Sequence, residues 1–208
     1  MNDLYIKGVL FEWDKISRGS YLREIEALRD VNEIRFSKPV TLFVGENGTG
    51  KSTLLEAIAV AHGFNPEGGS RNYSFSTRDT HSELCDAIRI VKGYRKEKWG
   101  CFLRAESFLK LMQKNIRSSG LYLMDEPEAA LSPQRQLTLL MEIYQCAREG
   151  AQFIIATHSP ILLGVPEAEI FCFDDGRIHT CSYEDTDSYQ VTEMFINHRE
   201  RLLRGLLD

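Results

Sequence analysis

A glycine-rich loop that ends in lysine and serine is the strongest chemical signal in this sequence. Residues 45–52, GENGTGKS, follow an apolar run typical of a buried strand and precede a helical pattern. Glycines permit a tight loop whose backbone N–H groups converge on phosphate oxygens, and the helix start adds its positive dipole end. The ammonium of Lys51 suits β- and γ-phosphates, and the hydroxyl of Ser52 suits Mg²⁺. The ordered context disfavours the alternative, a glycine-rich turn that matches by chance. The predicted nucleotide-binding residues are Gly45, Glu46, Asn47, Gly48, Thr49, Gly50, Lys51, Ser52 and Thr53.

Two adjacent acidic residues follow a second apolar run, in the segment LYLMDEPE over residues 121–128. A carboxylate at the end of a buried strand beside a phosphate loop is where Mg²⁺ needs support, which assigns Asp125 to the metal. Glu126 is the candidate general base that polarises an attacking water. Taken alone, the segment fits a solvated acidic turn equally well. Combined with the glycine-rich loop, it favours the metal-binding hypothesis.

A histidine follows a third buried-strand pattern, in the segment THSP over residues 157–160. Ligands of open α/β sheets bind at the carboxyl ends of the strands, so His158 is placed to reach a γ-phosphate. A lone histidine is more often structural, and only its neighbours raise this hypothesis above that alternative.

Strand patterns that alternate with helical patterns must position these residues. Strands are predicted over residues 4–11, 33–36, 40–44, 87–91, 100–103, 121–124, 153–156, 170–173 and 178–181. Helices are predicted over residues 51–61, 106–116 and 133–149 and from about residue 189. Ser132 is the predicted N-cap of the third helix, with Pro133 at its first position and Gly150 beyond its end. Its predicted apolar stripe consists of Leu137, Leu140, Met141 and Tyr144. Residues 63–82 are predicted to form a loop, and an Asp-Asp-Gly turn at 174–176 is predicted to join the last two strands. The pattern predicts an α/β fold with a parallel core and an antiparallel N-terminal β part.

Composition sets the limits of this interpretation. The 208 residues fit one domain, and 43% hydrophobic with 26% charged residues is an ordinary globular balance. The formal charge of −5 argues against a surface coated in positive charge. No apolar run approaches the roughly 20 residues of a membrane span, and no signal peptide is apparent. Five scattered cysteines indicate reduced thiols, which predicts a cytoplasmic location.

The three motifs, in this order, resemble those of the ABC ATPase superfamily of P-loop NTPases. GENGTGKS is similar to its Walker A loop, LYLMDEPEAALS over residues 121–132 to its Walker B strand and D-loop, and ATHS over residues 156–159 to its histidine switch. Within the superfamily, FVGENGTGKSTLLEAIAV, LMDEPEAALSPQRQL and QFIIATHSPILL resemble the soluble SMC- and RecF-like branch, among small bacterial ATPases. The likeness extends loosely over nearly the whole chain.

The resemblance implies an ABC ATPase-like parallel core sheet and a single ATPase domain over residues 1–208. It implies MgATP as ligand, Glu126 as catalytic base and His158 as sensor of the γ-phosphate. It also implies an ATP-dependent homodimer whose subunits contact each other through a D-loop made of Ala130, Leu131 and Ser132.

Two features of the superfamily are missing. Its Ser-x-Gly signature is absent where residues 103–108, LRAESF, stand, and no convincing Q-loop glutamine lies between Lys51 and Gln113. The interval between the Walker motifs is also short. We hypothesise that a segment near residues 104–108 is missing. Both absences put efficient hydrolysis in question while leaving ATP binding intact.

Several functions stay open on the sequence alone. An ATP-driven switch that serves DNA repair, chromosome handling or defence is the leading hypothesis, and a non-hydrolysing nucleotide-binding module is its alternative. A transporter ATPase subunit fits the D-loop less well, and a nucleotide kinase explains neither Glu126 nor His158. The stretch KGYRKEKW over residues 92–99 mixes basic and aromatic residues, as nucleic-acid surfaces do, but a solvated hairpin tip explains it as well.

Overall fold

Two β-sheets form the framework of the chain. The computed structural model describes residues 4–65, 69–70, 82–104 and 116–207. The smaller sheet is antiparallel, with strand order β2-β1-β5, and consists of β1 (Ile6–Phe11), β2 (Glu33–Arg35) and β5 (Ile88–Lys92). It confirms the predicted antiparallel β part, although β5 joins it from beyond the first helix.

The larger sheet is mainly parallel. Its strands are β3 (Val40–Val44), β4 (Gly69–Ser70), β6 (Trp99–Arg104), β7 (Gly120–Asp125), β8 (Gln152–Ala156), β9 (Glu169–Cys172) and β10 (His179–Cys181). In the order β10-β9-β3-β8-β7-β6-β4, the five central strands are parallel and the two outer ones antiparallel. Strands β3, β7 and β8 are almost fully buried, as expected of a sheet covered on both faces. The α/β prediction is confirmed.

Helices cover the faces of the larger sheet. Helix α1 (Lys51–His62) begins directly after the glycine-rich loop, and α2 (Pro133–Arg148) leads from β7 to β8. A four-residue helix α3 (Pro160–Leu163) follows β8, and α4 (Asp187–Leu207) ends the described chain. Residues 106–115 of the second predicted helix and most of the predicted loop over 63–82 lie outside the described residues.

The predicted apolar stripe of α2 is correct only in part: Leu140 and Tyr144 are half-buried, and Leu140 packs against the core. Leu139 and Ile143 are the buried side chains of this helix, whereas Leu137 and Met141 are 46% and 58% exposed. Residues four apart share a helix face, so the pair 139 and 143 turns toward the sheet. The predicted boundaries hold: Ser132 is the N-cap, although its side chain makes no capping hydrogen bond, and Gly150 follows the helix in the left-handed conformation.

A buried glutamine joins the two sheets. The side chain of Gln152, in β8, accepts hydrogen bonds from the backbone N–H groups of Tyr5 and Ile6 at 2.8 and 2.9 Å. Its amide group donates to the carbonyl of Ile6 at 2.8 Å. Apolar side chains of β1, α1 and β7 also meet in one core cluster. The smaller sheet is therefore fixed to the sheet that carries the glycine-rich loop.

The C-terminal part begins with the predicted hairpin and ends in a long helix. Strands β9 and β10 pair antiparallel around the turn at residues 174–176, which confirms that prediction. Helix α4 begins at Asp187, near the predicted start, and is kinked at His198. In the part of the chain that the structure describes, no helix is long and apolar enough to cross a membrane.

Candidate functional site

The predicted site residues gather at one edge of the larger sheet. The glycine-rich loop follows β3, the acidic pair lies at the end of β7, and His158 follows β8. Since β3, β7 and β8 are parallel neighbours, their carboxyl ends meet at the same edge. Adjacency in the sheet, and not in sequence, brings the three motifs together.

The glycine-rich loop depends on left-handed backbone at its glycines. Gly45, Gly48 and Gly50 have φ values of 144°, 84° and 99°. A Cβ at Gly50 would also lie 2.9 Å from the side chains of Ile25 and Leu28, so space and conformation both require glycine. The hydroxyl of Thr49 donates to the carbonyl of Glu46 at 2.9 Å, which closes the loop on itself.

Lys51 is a buried cation inside this loop, with only 4% of its surface exposed. Its ammonium donates to the carbonyls of Gly45 and Glu46, both at 2.6 Å. Burial lowers the pKa of Lys51, and the nearby carboxylates of Asp174, Glu126 and Asp125 oppose that shift. A phosphate in the loop would offer the ammonium charged acceptors in place of two neutral carbonyls.

Ser52 and Asp125, the two predicted metal ligands, are in direct contact. The hydroxyl of Ser52 donates to Oδ1 of Asp125 at 2.8 Å. Burial raises the pKa of Asp125, Glu126 raises it further, and the Ser52 hydrogen bond, Arg104 and Lys51 act against the increase. Two oxygen ligands side by side suit Mg²⁺, and a divalent cation would compensate a carboxylate that burial penalises. The donor set therefore fits the ion.

Glu126 and His158 face each other across the ends of β7 and β8. The Nε2 atom of His158 lies 3.6 Å from Oε1 of Glu126, and both side chains are partly exposed. Glu126 adopts the left-handed conformation (φ 47°, ψ 53°), which is strained for a residue with a side chain. Its N–H donates to the carbonyl of Ala156 at 2.9 Å, so the β7–β8 ladder holds this strained residue in place.

The predicted D-loop lies beyond this pair. Ala130 ends a short 3₁₀ turn (Pro127–Ala130), and Leu131 and Ser132 lead into α2. Asn47 is exposed and Thr53 partly buried, and neither side chain has a hydrogen bond among those the structure describes.

Four residues that sequence reasoning missed complete the edge. Asp174 accepts a hydrogen bond from the N–H of Glu46 at 2.8 Å, and Arg104 pairs with Glu56 of α1 opposite Asp125 in the β6–β7 register. Glu128 and Gln136 contact the loop of His158. Asp174 stood in the predicted turn after β9, and its place beside the glycine-rich loop followed only from the neighbouring positions of β3 and β9.

An open groove of about 750 Å³ adjoins the glycine-rich loop. Residues 21, 24–27, 46–49, 173–176 and 187 line it. Tyr21, 55% exposed, offers an aromatic face at its side, and carboxylates such as Glu24 and Asp175 offer hydrogen-bond acceptors. The groove thus combines an apolar surface with acceptors for N–H and O–H donors.

The basic stretch over residues 92–99 is not a hairpin tip, which corrects that expectation. Strands β5 and β6, on either side of it, belong to different sheets, so it crosses between them. The Arg95 guanidinium lies 5.3 Å from the ring centre of Tyr5, and that of Arg117 lies 4.0 Å from Trp99. Tyr94 is 73% exposed. Contacts within the chain thus occupy part of this basic and aromatic surface.

Two expectations fall on parts of the chain outside the described residues. Residues 105–115 are not described, and they include the segment Glu106-Ser107-Phe108 and Gln113. Most of residues 104–108, near which a segment is hypothesised to be missing, also falls there. Strand β6 continues to Arg104, where the described part stops. The missing signature and Q-loop therefore stay sequence-based hypotheses.

Comparisons with known proteins give a family match, a curated relative and a similar solved structure. Residues 20–140 match the family model described as AAA domain. A 91-residue stretch is 49% identical to the DNA repair protein RAD50 of Drosophila melanogaster, covering 43% of this chain and 7% of that protein. Among solved structures, the SMC head domain from Thermotoga maritima is similar with a TM-score of 0.46 and 13% identity, covering 86% of this chain and 99% of that one.

Proposed function

The chain belongs to the AAA domain family, as an ABC/SMC-like P-loop protein, and from this premise we propose that it binds MgATP and hydrolyses it to drive a conformational cycle. The carrying observation is the convergence of Lys51, Ser52, Asp125, Glu126 and His158 at one sheet edge. Each residue type there has a distinct task in phosphoryl transfer to water. A role in DNA repair is part of this proposal, and the similarity to RAD50 supports it. The similar stretch spans only 7% of that protein.

Binding begins at the loop of residues 45–52. Lys51 exchanges its bonds to Gly45 and Glu46 for phosphate oxygens, a change from neutral to charge-assisted hydrogen bonds. Ser52 and Asp125 hold Mg²⁺, which neutralises charge on the phosphates when it is bound. The groove beside the loop takes the nucleoside, with Tyr21 against the base and carboxylates facing its N–H and O–H donors.

Hydrolysis depends on the pair at the ends of β7 and β8. Glu126 accepts a proton from the water whose oxygen bonds to the γ-phosphorus, while the bond from phosphorus to the ADP oxygen breaks. His158, whose Nε2 atom lies 3.6 Å from Oε1 of Glu126, donates to the γ-phosphate.

The proposed cycle involves two subunits. ATP held at the loop of one subunit brings it against a second, with Ala130, Leu131 and Ser132 at the contact, and hydrolysis releases the pair. Such opening and closing does mechanical or gating work for a partner. If that partner is a nucleic acid, it would bind at the surface formed by the exposed Tyr94 and Trp99 and the cations beside them.

A non-hydrolysing nucleotide-binding module is the second candidate. The absence of the Ser-x-Gly signature at residues 103–108 favours it, because a phosphate held by one subunit would lack that cap from the other. In this case the site binds MgATP through Lys51, Ser52 and Asp125, and Glu126 transfers no proton.

Steady-state hydrolysis with Mg²⁺, measured beside Glu126→Gln, separates the two candidates. We expect turnover in the wild type and a loss of about 10²- to 10⁴-fold in the variant, with nucleotide affinity retained. Light scattering should then find the variant trapped as an ATP-bound dimer. Glu149→Gln, at an exposed carboxylate after α2, is the matched control and should behave as wild type. ATP binding without turnover or dimerisation in the wild type would favour the module.

A further inference from the structure

The loop that carries His158 is held at two consecutive residues by the segment that follows β7. The N–H of His158 donates to Oε1 of Glu128 at 2.6 Å. At the next residue, the hydroxyl of Ser159 donates to Oε1 of Gln136 at 2.6 Å. Both distances lie at the short end of the range for protein hydrogen bonds. The position of the His158 loop is thus set from residues 128–136.

Ser159 has no capacity for further hydrogen bonds. Its hydroxyl oxygen accepts from the N–H groups of Ile161 and Leu162, both at 3.1 Å, and its only proton points to Gln136. The residue is buried, with 5% of its surface exposed. Loss of the Gln136 acceptor would therefore leave a buried hydroxyl proton without a partner, a state that proteins avoid.

Gln136 connects this loop to the D-loop. While its side-chain oxygen accepts from Ser159, its amide nitrogen donates to the carbonyl of Leu131 at 3.1 Å. The backbone N–H of Gln136 also donates to the carbonyl of Ser132 at 2.9 Å. One amide group, in the first turn of α2, thus bridges the two loops. An amide suits this task because it accepts at one atom and donates at the other.

We propose that Gln136 is a positioning residue that couples the D-loop to His158. This inference rests on the proposed function, since the D-loop is where a second subunit would press. A shift of the Leu131 carbonyl moves the Gln136 amide, and with it Ser159 and the adjacent His158 relative to Glu126. Hydrolysis would then be completed only when a second subunit is in place.

Two substitutions separate this role from simple support of the fold. Gln136→Ala removes both hydrogen bonds. Gln136→Glu retains an acceptor for Ser159 but sets a carboxylate oxygen against the Leu131 carbonyl, so only the link to the D-loop is lost. Gln145→Ala, at an exposed glutamine further along α2, is the matched control.

The measurements are kcat and KM for ATP and the amide hydrogen exchange of peptides spanning residues 128–132 and 157–163. We expect kcat to fall about tenfold or more in both Gln136 variants, with KM within about twofold of wild type. In Gln136→Ala the His158 loop loses its support, and in Gln136→Glu the D-loop no longer acts on it; either change slows chemistry more than binding. Exchange in residues 157–163 should rise in Gln136→Ala and stay near wild type in Gln136→Glu. The control should match wild type throughout.

The outcomes distinguish this inference from the proposed function. If the wild type hydrolyses ATP and Gln136→Glu retains its kcat, the coupling is refuted while the ATPase proposal stands. If the wild type shows no turnover, the ATPase proposal fails and exchange alone decides. Added MgATP should then change both peptides together in the wild type but not in Gln136→Ala. Equal responses in these two proteins would overturn the inference.

Discussion

Asp125→Asn is expected to change folding stability and nucleotide binding in opposite directions. In the nucleotide-free chain, burial raises the pKa of this carboxyl, so the ionised form is costly in the folded state. Asparagine retains an oxygen that accepts the 2.8 Å hydrogen bond from Ser52 and carries no charge. The free energy of unfolding should therefore rise by about 1 kcal/mol, or about 2–4 °C in Tm for a chain of this size.

The sign of the pH dependence follows from the raised pKa. Between the ordinary value of 3.8 and the higher value in the folded chain, the folded state holds a proton that the unfolded state has lost. This contribution to stability is present below that window and is lost as the pH rises through it. The advantage of Asp125→Asn over wild type should thus be greatest at neutral pH and disappear on acidification below 3.8.

Binding of MgATP should weaken in the same variant. A unit charge pair about 4 Å apart is worth about 4 kcal/mol at an effective dielectric constant near 20, and solvent screening reduces it. We expect about 100-fold weaker binding of MgATP, with a much smaller change for ATP in the presence of a chelator.

Thermal unfolding without nucleotide and titration calorimetry with and without Mg²⁺ measure both effects. Asp30→Asn, at a side chain that is 90% exposed, is the control and should change neither quantity. A lower Tm for Asp125→Asn without nucleotide would refute the burial argument. Unchanged MgATP affinity would refute the assignment of Asp125 to the metal.

Two further predictions concern the framework that holds the site. Leu139→Ala should lower the free energy of unfolding by about 2–5 kcal/mol. Leu137→Ala, on the exposed side of the same helix, should lower it by less than about 1 kcal/mol. Denaturant titration compares the two variants, and equal losses would contradict the finding that Leu139, and not Leu137, faces the sheet. Gln152→Met removes three buried hydrogen bonds to Tyr5 and Ile6. It should lower the free energy of unfolding, measured by the same titration, by about 3 kcal/mol or more. A variant as stable as wild type would show that apolar packing alone joins the two sheets.

The sequence by itself determined the parts of the site that are local in the chain. The order of strand, glycine-rich loop and helix at residues 40–62 and the acidic pair after an apolar run were legible because phosphate loops and strand ends have short, specific patterns. The same holds for the N-cap and proline at the start of α2, where backbone geometry selects the residue types. The family match over residues 20–140 confirms the resemblance that these patterns indicated.

The tertiary structure alone decided which residues meet. Asp174 reached the glycine-rich loop because β9 pairs with β3, a choice of strand order that no local pattern encodes. The burial of Leu139 in place of Leu137 depended on the direction in which α2 faces the sheet. The link from Leu131 through Gln136 to Ser159 joins residues up to 28 positions apart, through hydrogen bonds of single side-chain atoms. Sequence patterns report periodicity and local geometry, whereas these contacts follow from how strands are ordered and which face each helix buries.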